Sequence, residues 1–433
     1  MRENQPVPRV IAWRALVEAG LTDVPVDQLL AAQEGYGSLD ARDKAFTRLL
    51  VAESLRWRGW FDHIIASYLE KPLPAKNRHA QDVLRLGLCQ LLILETPPHA
   101  AVAETVELCA RAGFAPMKGL VNALLRRAER EKSSLLTQRA QDSGASFVPP
   151  WLWESWKTAY GESMAGSMVN ASLAEAPLDL SVKKDAAMWA ETLGGECLAE
   201  DSVRLRDAGD VAKLSGYDAG AWWVQDLAAS LPVRVMGEIA GRTVIDLCAA
   251  PGGKTAQLCA RGAAVTAVER SASRLRLLRE NMTRLAFSPR IVEADALFWK
   301  PDAPADIVLL DAPCSATGTF RRHPEALWRK KPEDVTRLIA LQRRLIEAAT
   351  NMVKPGGMLV YATCSLEYGE GEGQVAWIKE ACPALRPSPI ASAELPGMEQ
   401  AVTSDGLVRA LPHFFAEKGG MDGFFAARFR KNA

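Results

Sequence analysis

Apolar positions follow a helical period through the first third of the chain. Between residues 10 and 130, apolar side chains recur every three to four residues, as at Val10, Trp13, Leu16 and Val17. Gly and Pro residues interrupt the pattern near positions 35, 72, 97 and 113, where helices should end. The pattern therefore predicts an all-α N-terminal domain, residues 1–135, with roughly five to seven helices.

The pattern changes after residue 130. Residues 136–150 are mostly polar and are predicted to form a linker. Residues 178–182 and 203–205 alternate like strands, so residues 151–235 are predicted to form a small α+β subdomain. The adjacent Trp222 and Trp223 either pack in an interior, which is the commoner role, or stack on nucleic-acid bases.

From residue 236 to 433, strands, turns and helices alternate, which is typical of an α/β Rossmann-like domain. Pro332, followed by Glu333 and Asp334, predicts the start of a long helix that continues to about Met352. The last strand is expected at an antiparallel edge. Apolar runs predict strands at 243–247, 264–268, 290–292, 307–310, 358–363 and 424–429.

Composition restricts the function classes. The chain has 433 residues, and its 52 Lys and Arg residues balance 52 Asp and Glu residues, so overall charge gives no sign of a nucleic-acid partner. Eight Cys without a CxxC motif and only five His predict neither a disulfide framework nor a metal site. The N-terminal residues 1–6 lack an apolar signal core, and no apolar run has membrane-spanning length, so we expect a cytoplasmic protein.

The turn after the first strand of the Rossmann-like domain, residues 248–255, is rich in glycine. It ends like a P-loop, but a P-loop needs glycine at the position of Cys248, so ATP binding is rejected. Its glycines allow the backbone to approach an adenosyl ligand at a helix N-terminus. Glu269, about 20 residues further on, suits a ribose diol, and Asp295 can accept a hydrogen bond from an adenine amine.

Two thiols follow two buried strands. Asp311-Ala312-Pro313-Cys314 ends the strand at 307–310, and Cys364-Ser365 ends the strand at 358–363. The carboxyl ends of neighbouring strands in a doubly wound sheet meet at one crevice, where such folds place their chemistry. Isolated cysteines are usually buried and inert, but a pair placed in this way beside a carboxylate indicates catalysis.

Three motifs, residues 246–255, 311–318 and 361–365, closely resemble those of RNA cytosine-5 methyltransferases of the NOL1/NOP2/Sun type. The helical first domain resembles the NusB fold, and with it the resemblance is to bacterial members that modify small-subunit (16S) ribosomal RNA. The family fold implies a seven-stranded sheet with the last strand reversed, and S-adenosylmethionine as the methyl donor. Two departures are Glu269, where many relatives have Asp, and Pro232, which interrupts an expected helix.

The resemblance also implies roles for individual residues. Cys364 is the nucleophile that adds to C6 of cytosine, Cys314 assists product release, and Asp311 contacts the N3/N4 edge of the base. The residues expected to contact the cofactor are Cys248, Ala249, Ala250, Pro251, Gly252, Gly253, Lys254, Glu269, Arg274, Asp295 and Asp311.

Basic residues suggest where RNA is bound. The predicted phosphate contacts, which follow the loop of Cys314, are Arg321, Arg322, His323, Arg329 and Lys330. The helix after Glu269 carries five further arginines that form either a solvated face or a rim for the RNA backbone. The partner implied by the resemblance is small-subunit ribosomal RNA, with no membrane, no metal and a monomeric state expected.

Three other functions share features with this sequence. An amino-group methyltransferase would carry an aromatic residue where Cys314 stands, so that class is disfavoured. A transfer-RNA cytosine-5 methyltransferase would share the motifs and differ mainly in the helical domain. An RNA-binding assembly factor with a decayed methyltransferase core would have no need of Asp311, Cys314 and Cys364, all of which are intact.

Overall fold

The computed structural model describes residues 7–22, 24–206 and 208–433; the N-terminal residues 1–6, expected to lack a signal core, lie outside that part. Two compact units emerge. The first contains the described residues up to Leu173 together with Phe320–Lys330, and the second contains Ala174–Thr319 and Lys331–Ala433.

The elements are numbered in chain order. The α-helices are α1 Pro8–Ala19, α2 Val26–Ala32, α3 Ala41–Arg56, α4 Arg58–Tyr68, α5 Ala80–Leu92, α6 Pro98–Cys109, α7 Lys118–Arg130, α8 Lys132–Gln141, α9 Pro150–Tyr160, α10 Glu162–Ser172, α11 Ala186–Leu193, α12 Leu227–Arg234, α13 Gly253–Ala260, α14 Ala272–Arg284, α15 Pro324–Leu327, α16 Pro332–Met352 and α17 Glu372–Ala381. The strands are β1 Leu178–Val182, β2 Glu196–Ala199, β3 Ser202–Leu205, β4 Trp222–Val224, β5 Thr243–Leu247, β6 Ala264–Glu269, β7 Arg290–Glu293, β8 Ala305–Asp311, β9 Val353–Thr363, β10 Leu385–Pro387, β11 Val408–Ala410 and β12 Phe424–Lys431.

The first unit is helical, as the apolar period predicts. The buried positions of α3 include Thr47, Leu50 and Ser54, which are spaced three to four residues apart and therefore share one face. Asp40 caps this helix by accepting a hydrogen bond from the Asp43 amide at 2.7 Å. Helices α1 to α7 occupy residues 8–130, and the helical unit continues beyond the predicted end at residue 135 to Leu173.

The structure differs from the predicted linker at 136–150. Helix α8 covers its first part, and Phe147 and Val148 are buried. Polar neighbours hid these apolar anchors in the sequence, and their burial attaches the segment to the first unit. Helices α9 and α10 also belong to that unit. Residues 151–173 are therefore not part of the α+β subdomain predicted at 151–235.

A short segment from the second half of the chain completes the first unit. In Phe320–Lys330, the Trp328 indole donates to the Leu55 carbonyl at 2.8 Å, and the Arg56 guanidinium donates to the Arg321 carbonyl at 3.1 Å. Phe320 packs near Trp156, with ring centroids 6.3 Å apart. The chain thus leaves the second unit after Thr319 and returns to it at Lys331.

The second unit begins with a small antiparallel sheet of order β2-β3-β1-β4. Within it, Arg204 and Asp179 are almost fully buried and form two hydrogen bonds of 2.7 Å each. Arg204 also donates to the Gly420 carbonyl at 2.7 Å. The pair therefore joins the small sheet to the C-terminal segment of the same unit.

The large sheet has the order β10-β12-β9-β8-β5-β6-β7, with β11 also paired to β12. Strands β5 to β9 are parallel, and β12 is antiparallel to β9. The expected seven strands with a reversed last strand are all present. The prediction that the last strand forms an edge is wrong, because β10 and β11 pair with the free side of β12. These two strands have three residues each, too few to show alternation.

Helices cover both faces of this sheet. Alternate residues of β8 point to opposite sides: Ile307 and Leu309 pack in one apolar cluster, and Val308 and Leu310 in the other. Helices α12 and α13 contribute to the first cluster, and α16 and α17 to the second. Pro232, which was expected to interrupt a helix, lies inside α12. Burial on both faces explains the nearly continuous apolar runs of the parallel strands.

The buried pair of Arg204 and Asp179 gives a stability prediction. Replacement of Asp179→Ala leaves a buried cation without its carboxylate and is expected to cost about 3 to 5 kcal/mol of unfolding free energy. Chemical denaturation followed by circular dichroism measures the loss. The control is Asp27→Ala, which removes the partner of Arg48 in an exposed pair and should cost less than about 1 kcal/mol. Equal costs for both variants would contradict the prediction.

Candidate active site

The register of the large sheet brings the predicted site residues to one edge. Leu310 of β8 pairs with Tyr361 of β9, and Asp311 with Ala362, so both strands end at the same level. Leu247 of β5 pairs with Leu310 on the other side of β8. The carboxyl ends of all three strands therefore open on one crevice, which is where open α/β sheets bind ligands.

The glycine-rich turn after β5 requires glycine at one position. Gly252 has a φ of +109°, and a Cβ atom there would lie 2.6 Å from Leu278 Cδ1. Helix α13 begins at the next residue, so its first amides face the turn. The turn can therefore approach a ligand closely and present amide donors to an anionic group.

A small cavity beside this turn brings together four residues predicted to bind the cofactor. Cys248, Glu269, Arg274 and Asp295 line a volume of about 80 Å³, together with Arg270. Glu269 is buried, and its Oε2 atom has no hydrogen-bond partner, although the Arg274 guanidinium lies 3.6 Å away. A buried carboxylate oxygen without a donor is suited to a ligand hydroxyl.

A larger cavity of about 450 Å³ lies on the other side of the glycine-rich turn. It is lined by Asp246 of β5, Asp311 of β8 and Lys254 of α13, and by Tyr217 and Gln225 from the segments around β4. This volume lies within the usual range for small-molecule sites and has a polar end at Lys254 and Asp311.

Lys254 and Asp311 form an ion pair at 2.8 Å. Burial alone would lower the pKa of Lys254, but the Asp311 carboxylate outweighs it and raises the pKa, so the ammonium stays charged. Cys364 is a further negative influence on the same group. The pair therefore places a fixed cation between a carboxylate and a thiol.

Cys314 and Cys364 meet as their strand-end positions predict, with Sγ atoms 3.4 Å apart. The hydrogen bond to Cys364, together with burial, holds the pKa of Cys314 well above its ordinary value. Cys314 therefore holds its proton, and either sulfur can be the donor in this contact. The two cysteines are not among the residues that line the larger cavity, but Lys254 links it to them.

Other residues that hold these loops were missed from the sequence. Glu370 accepts hydrogen bonds from Ser315 and Ser365, which follow the two cysteines. Gln342 of α16 donates to Glu370 at 2.8 Å and to the Pro313 carbonyl at 2.9 Å. The one available signal was a serine directly after each cysteine, and it says nothing about a shared acceptor.

The predicted phosphate contacts have mixed positions, all within the first unit. Arg321 is almost completely buried, so we withdraw it as a phosphate contact. Arg322, Arg329 and Lys330 are half-buried, and His323 is exposed. These four remain predictions.

Aromatic and arginine candidates elsewhere take structural positions. Trp222 and Trp223 are buried, which supports packing over base stacking. Arg284 donates to the Tyr217 carbonyl at 2.8 Å and stacks over the Tyr217 ring at 4.2 Å. Arg274 hydrogen-bonds the Ala250 carbonyl and so supports the glycine-rich turn.

The described residues show neither a membrane-spanning helix nor a metal-binding cluster. No helix there combines the length and apolar character needed to cross a membrane. Within the same residues, no group of three or more His, Cys, Asp or Glu side chains is arranged to hold a metal ion.

Two protein-family models match separate parts of the chain. Residues 235–430 match the model for 16S rRNA methyltransferase RsmB/F, and residues 7–130 match the model for the NusB family. Ribosomal RNA small subunit methyltransferase B of Pseudomonas putida is 34% identical, over 98% of this chain and 99% of its own length. The protein of the same name from Vibrio cholerae is 35% identical, over 83% and 85%.

Solved structures share the fold. The crystal structure of PH0851 superposes with a TM-score of 0.75 at 21% identity, covering 98% of this chain and 99% of its own. NSun6 from Pyrococcus horikoshii gives a TM-score of 0.56 at 21% identity, covering 66% of this chain and 98% of its own.

The strand order with a reversed strand beside β9 is that of a Rossmann-like methyltransferase, and the family match over residues 235–430 agrees with it. The protein is therefore a methyltransferase with a NusB-type first domain. The relatives, a third identical over most of the chain, identify it further: the chain belongs to the ribosomal RNA small subunit methyltransferase B family.

The ionisation of Asp246 gives a prediction about pH. Burial raises its pKa from 3.8 to about 7, so the folded protein keeps a proton that the unfolded chain releases in that window. The contribution of Asp246 to stability must fall as pH rises from about 4 to about 7. Asp246→Asn cannot ionise and keeps an acceptor for Thr255, so it should melt higher than the parent at about pH 8 and nearly equally at about pH 4.

The control for this prediction has the opposite sign. A hydrogen bond from Lys354, supported by Thr243, lowers the pKa of Asp306 to about 2. Asp306→Asn should therefore lower the melting temperature at neutral pH and matter less as pH falls toward 2. An Asp246→Asn variant that melts below the parent at alkaline pH would contradict the assignment of the buried proton.

Proposed function

We propose that this protein transfers a methyl group from S-adenosylmethionine to C5 of a cytosine in small-subunit (16S) ribosomal RNA. The observation that carries the proposal is the pair of thiols, Cys314 and Cys364, with sulfurs 3.4 Å apart at adjacent strand ends. The names of the relatives supply the substrate class.

Residues of the smaller cavity and of the glycine-rich turn, which lines the larger cavity, suit separate parts of S-adenosylmethionine. Glu269 has a buried carboxylate oxygen without a hydrogen-bond donor, which suits the ribose diol. Asp295 lines the same cavity and can accept from the adenine amine. The first amides of α13, after Gly252, suit the methionyl carboxylate. When bound, the cofactor supplies an electrophilic methyl group.

Two cysteines answer the chemical difficulty of the substrate. C5 of cytosine is a poor nucleophile, and addition of the Cys364 thiolate to C6 converts the ring to an enamine with a nucleophilic C5. The C6–S bond forms as N3 takes up a proton. After C5 has gained the methyl group, a base beside the ring takes the C5 proton, the C6–S bond breaks and returns its electron pair to the Cys364 sulfur, and N3 releases the proton it took up.

Neighbouring groups assist these proton movements. In the proposal, the Asp311 carboxylate contacts the N3/N4 edge of the base, and Lys254, held charged 2.8 Å from Asp311, stabilises the thiolate of Cys364. Cys314, kept protonated in the resting site, donates to the Cys364 sulfur and later assists its departure. The larger cavity, about 450 Å³, has room for an unstacked base beside Lys254 and Asp311.

The first measurement is transfer of tritiated methyl groups from S-adenosylmethionine to unmodified small-subunit ribosomal RNA and, in parallel, to transfer RNA, with the labelled base mapped afterwards. Label recovered as 5-methylcytosine at one small-subunit site is expected. Label on transfer RNA alone would keep the chemistry and overturn the substrate. Binding of the donor without transfer to naked RNA or to immature small-subunit particles would favour the assembly-factor alternative.

The roles of the two cysteines are separable by substitution. Cys364→Ala should lower methyl transfer at least about 1,000-fold, because the covalent step is lost, while donor affinity persists. Cys314→Ala should accumulate protein bound covalently to RNA, seen as a slow band on a denaturing gel. Cys197→Ala, an exposed cysteine of the second unit, is the matched control and should retain full activity. Turnover by Cys364→Ala would reject the nucleophile, and a missing adduct would reject the release role.

A further inference from the structure

One fully buried carboxylate lies between the two cysteine loops. Glu370 ends a short turn that follows β9. Its oxygens accept from the Ser315 amide at 3.0 and 3.2 Å and from the Ser365 hydroxyl at 2.6 Å. The Ser315 hydroxyl also hydrogen-bonds to it. A single side chain is therefore bonded to the residue after each cysteine.

The two loops are bonded to each other in the same region. The Gly318 amide donates to the Cys364 carbonyl at 3.0 Å, and the Leu366 amide donates to the Thr317 hydroxyl at 2.9 Å. The hydroxyls of Ser315 and Ser365 are 3.0 Å apart and converge on Glu370. The carboxylate thus sits at the centre of the bonds that join the loops.

Further contacts fix the orientation of Glu370 itself. Gln342 donates to Glu370 Oε1 at 2.8 Å, and the Tyr361 hydroxyl donates to the Glu370 carbonyl at 2.7 Å. The Gln342 amide oxygen accepts from Gln374 at 2.9 Å, which directs its NH₂ group toward Glu370. Both carboxylate oxygens of Glu370 are therefore held in one orientation by their donors.

The donors around Glu370 require an acceptor with two oxygens. An ionised carboxylate only accepts, whereas an amide of the same shape presents one acceptor and one donor. Glu370→Gln would direct an NH₂ group at the Ser315 and Ser365 hydroxyls, which must then rotate to accept from it. Both hydroxyls lose their charge-assisted bonds to the carboxylate, so the bonds that join the loops weaken and the loops should shift.

We infer that Glu370 is a positioning residue that holds Cys314 and Cys364 at a reactive separation by binding both following serines. The inference rests on the proposed function insofar as the thiols act on cytosine. It adds to that function the residue that sets the geometry of the pair. A misplacement of about 1 Å at a reacting centre can cost on the order of 100-fold in rate.

The geometric part is tested without RNA or methyl donor. Diamide, an azo oxidant, takes two electrons and two protons from a thiol pair and leaves a disulfide. The rate of forming the Cys314–Cys364 disulfide in the full chain is followed by alkylation of the remaining thiols and peptide mass spectrometry. Glu370→Gln should slow this rate at least about tenfold, since the reaction depends on the approach of the sulfurs.

The control is the same substitution at a carboxylate that bonds to neither cysteine loop. Glu394 pairs with Arg428 at 2.6 Å, and neither residue hydrogen-bonds to the cysteine loops among the described contacts. Glu394→Gln should react with diamide at the parental rate. A parental rate for Glu370→Gln, or an equal slowing in both variants, would overturn the inference.

Catalysis supplies the second readout. Glu370→Gln should lower kcat for methyl transfer on the order of 100-fold with little change in KM for S-adenosylmethionine, because Glu370 makes no described hydrogen bond to Glu269, Asp295 or the glycine-rich turn. If Glu370→Gln forms the disulfide slowly but the parent methylates no cytosine, the proposed function is overturned and the positioning role stands. Parental kcat in Glu370→Gln would overturn the positioning role alone.

A milder variant covers the case in which Glu370→Gln does not fold. Ser365→Ala removes one hydroxyl that bonds to Glu370 and leaves the carboxylate in place. It should slow disulfide formation by a smaller factor than Glu370→Gln. A parental rate in Ser365→Ala would contradict the inference.

Discussion

The parallel pairing of β8 with β9 is the constraint on which the active site depends. Asp311 and Ala362 are level in this pairing, so the loops that follow leave the sheet side by side. Cys314 and Cys364 are 50 residues apart in sequence and 3.4 Å apart in space for this reason. The intervening helix α16 serves as the crossover that parallel strands need. A one-residue slip in register would turn the strand-end side chains to opposite faces of the sheet.

The site also depends on charges held by fixed partners. Lys254 pairs with Asp311, Glu269 has Arg274 nearby, and Glu370 is surrounded by hydroxyl and amide donors. Each arrangement fixes a charge where a substrate or a thiol can use it, because fixed dipoles need no reorganisation during reaction. Asp246 is also buried, but among the described residues only Thr255 donates to it, and burial therefore raises its pKa.

The sequence predicts the parts of the structure that have local signals. The helical first domain, the parallel strands, the glycine-rich turn and the strand-end cysteines depend on periodicity and spacing within a few residues. Other features depend on tertiary contacts that leave no local trace. Arg321 reads as a basic surface residue and is buried, and Phe147 anchors a stretch that reads as a linker. β12 reads as an edge and becomes interior, since β10 and β11 are too short to be predicted.

Glu370 shows why a residue of this kind is missed from the sequence and what it contributes to the structure. Its sequence neighbours give no reason to expect a buried carboxylate, because its partners come from the loop after β8, the loop after β9 and α16. Burying a carboxylate costs several kcal/mol before its hydrogen bonds are counted, on the order given for buried ions. An apolar side chain would avoid that cost but would leave the Ser315 amide without an acceptor. The carboxylate therefore contributes a defined loop geometry more than net stability, which the proposed action of two thiols on one ring would require.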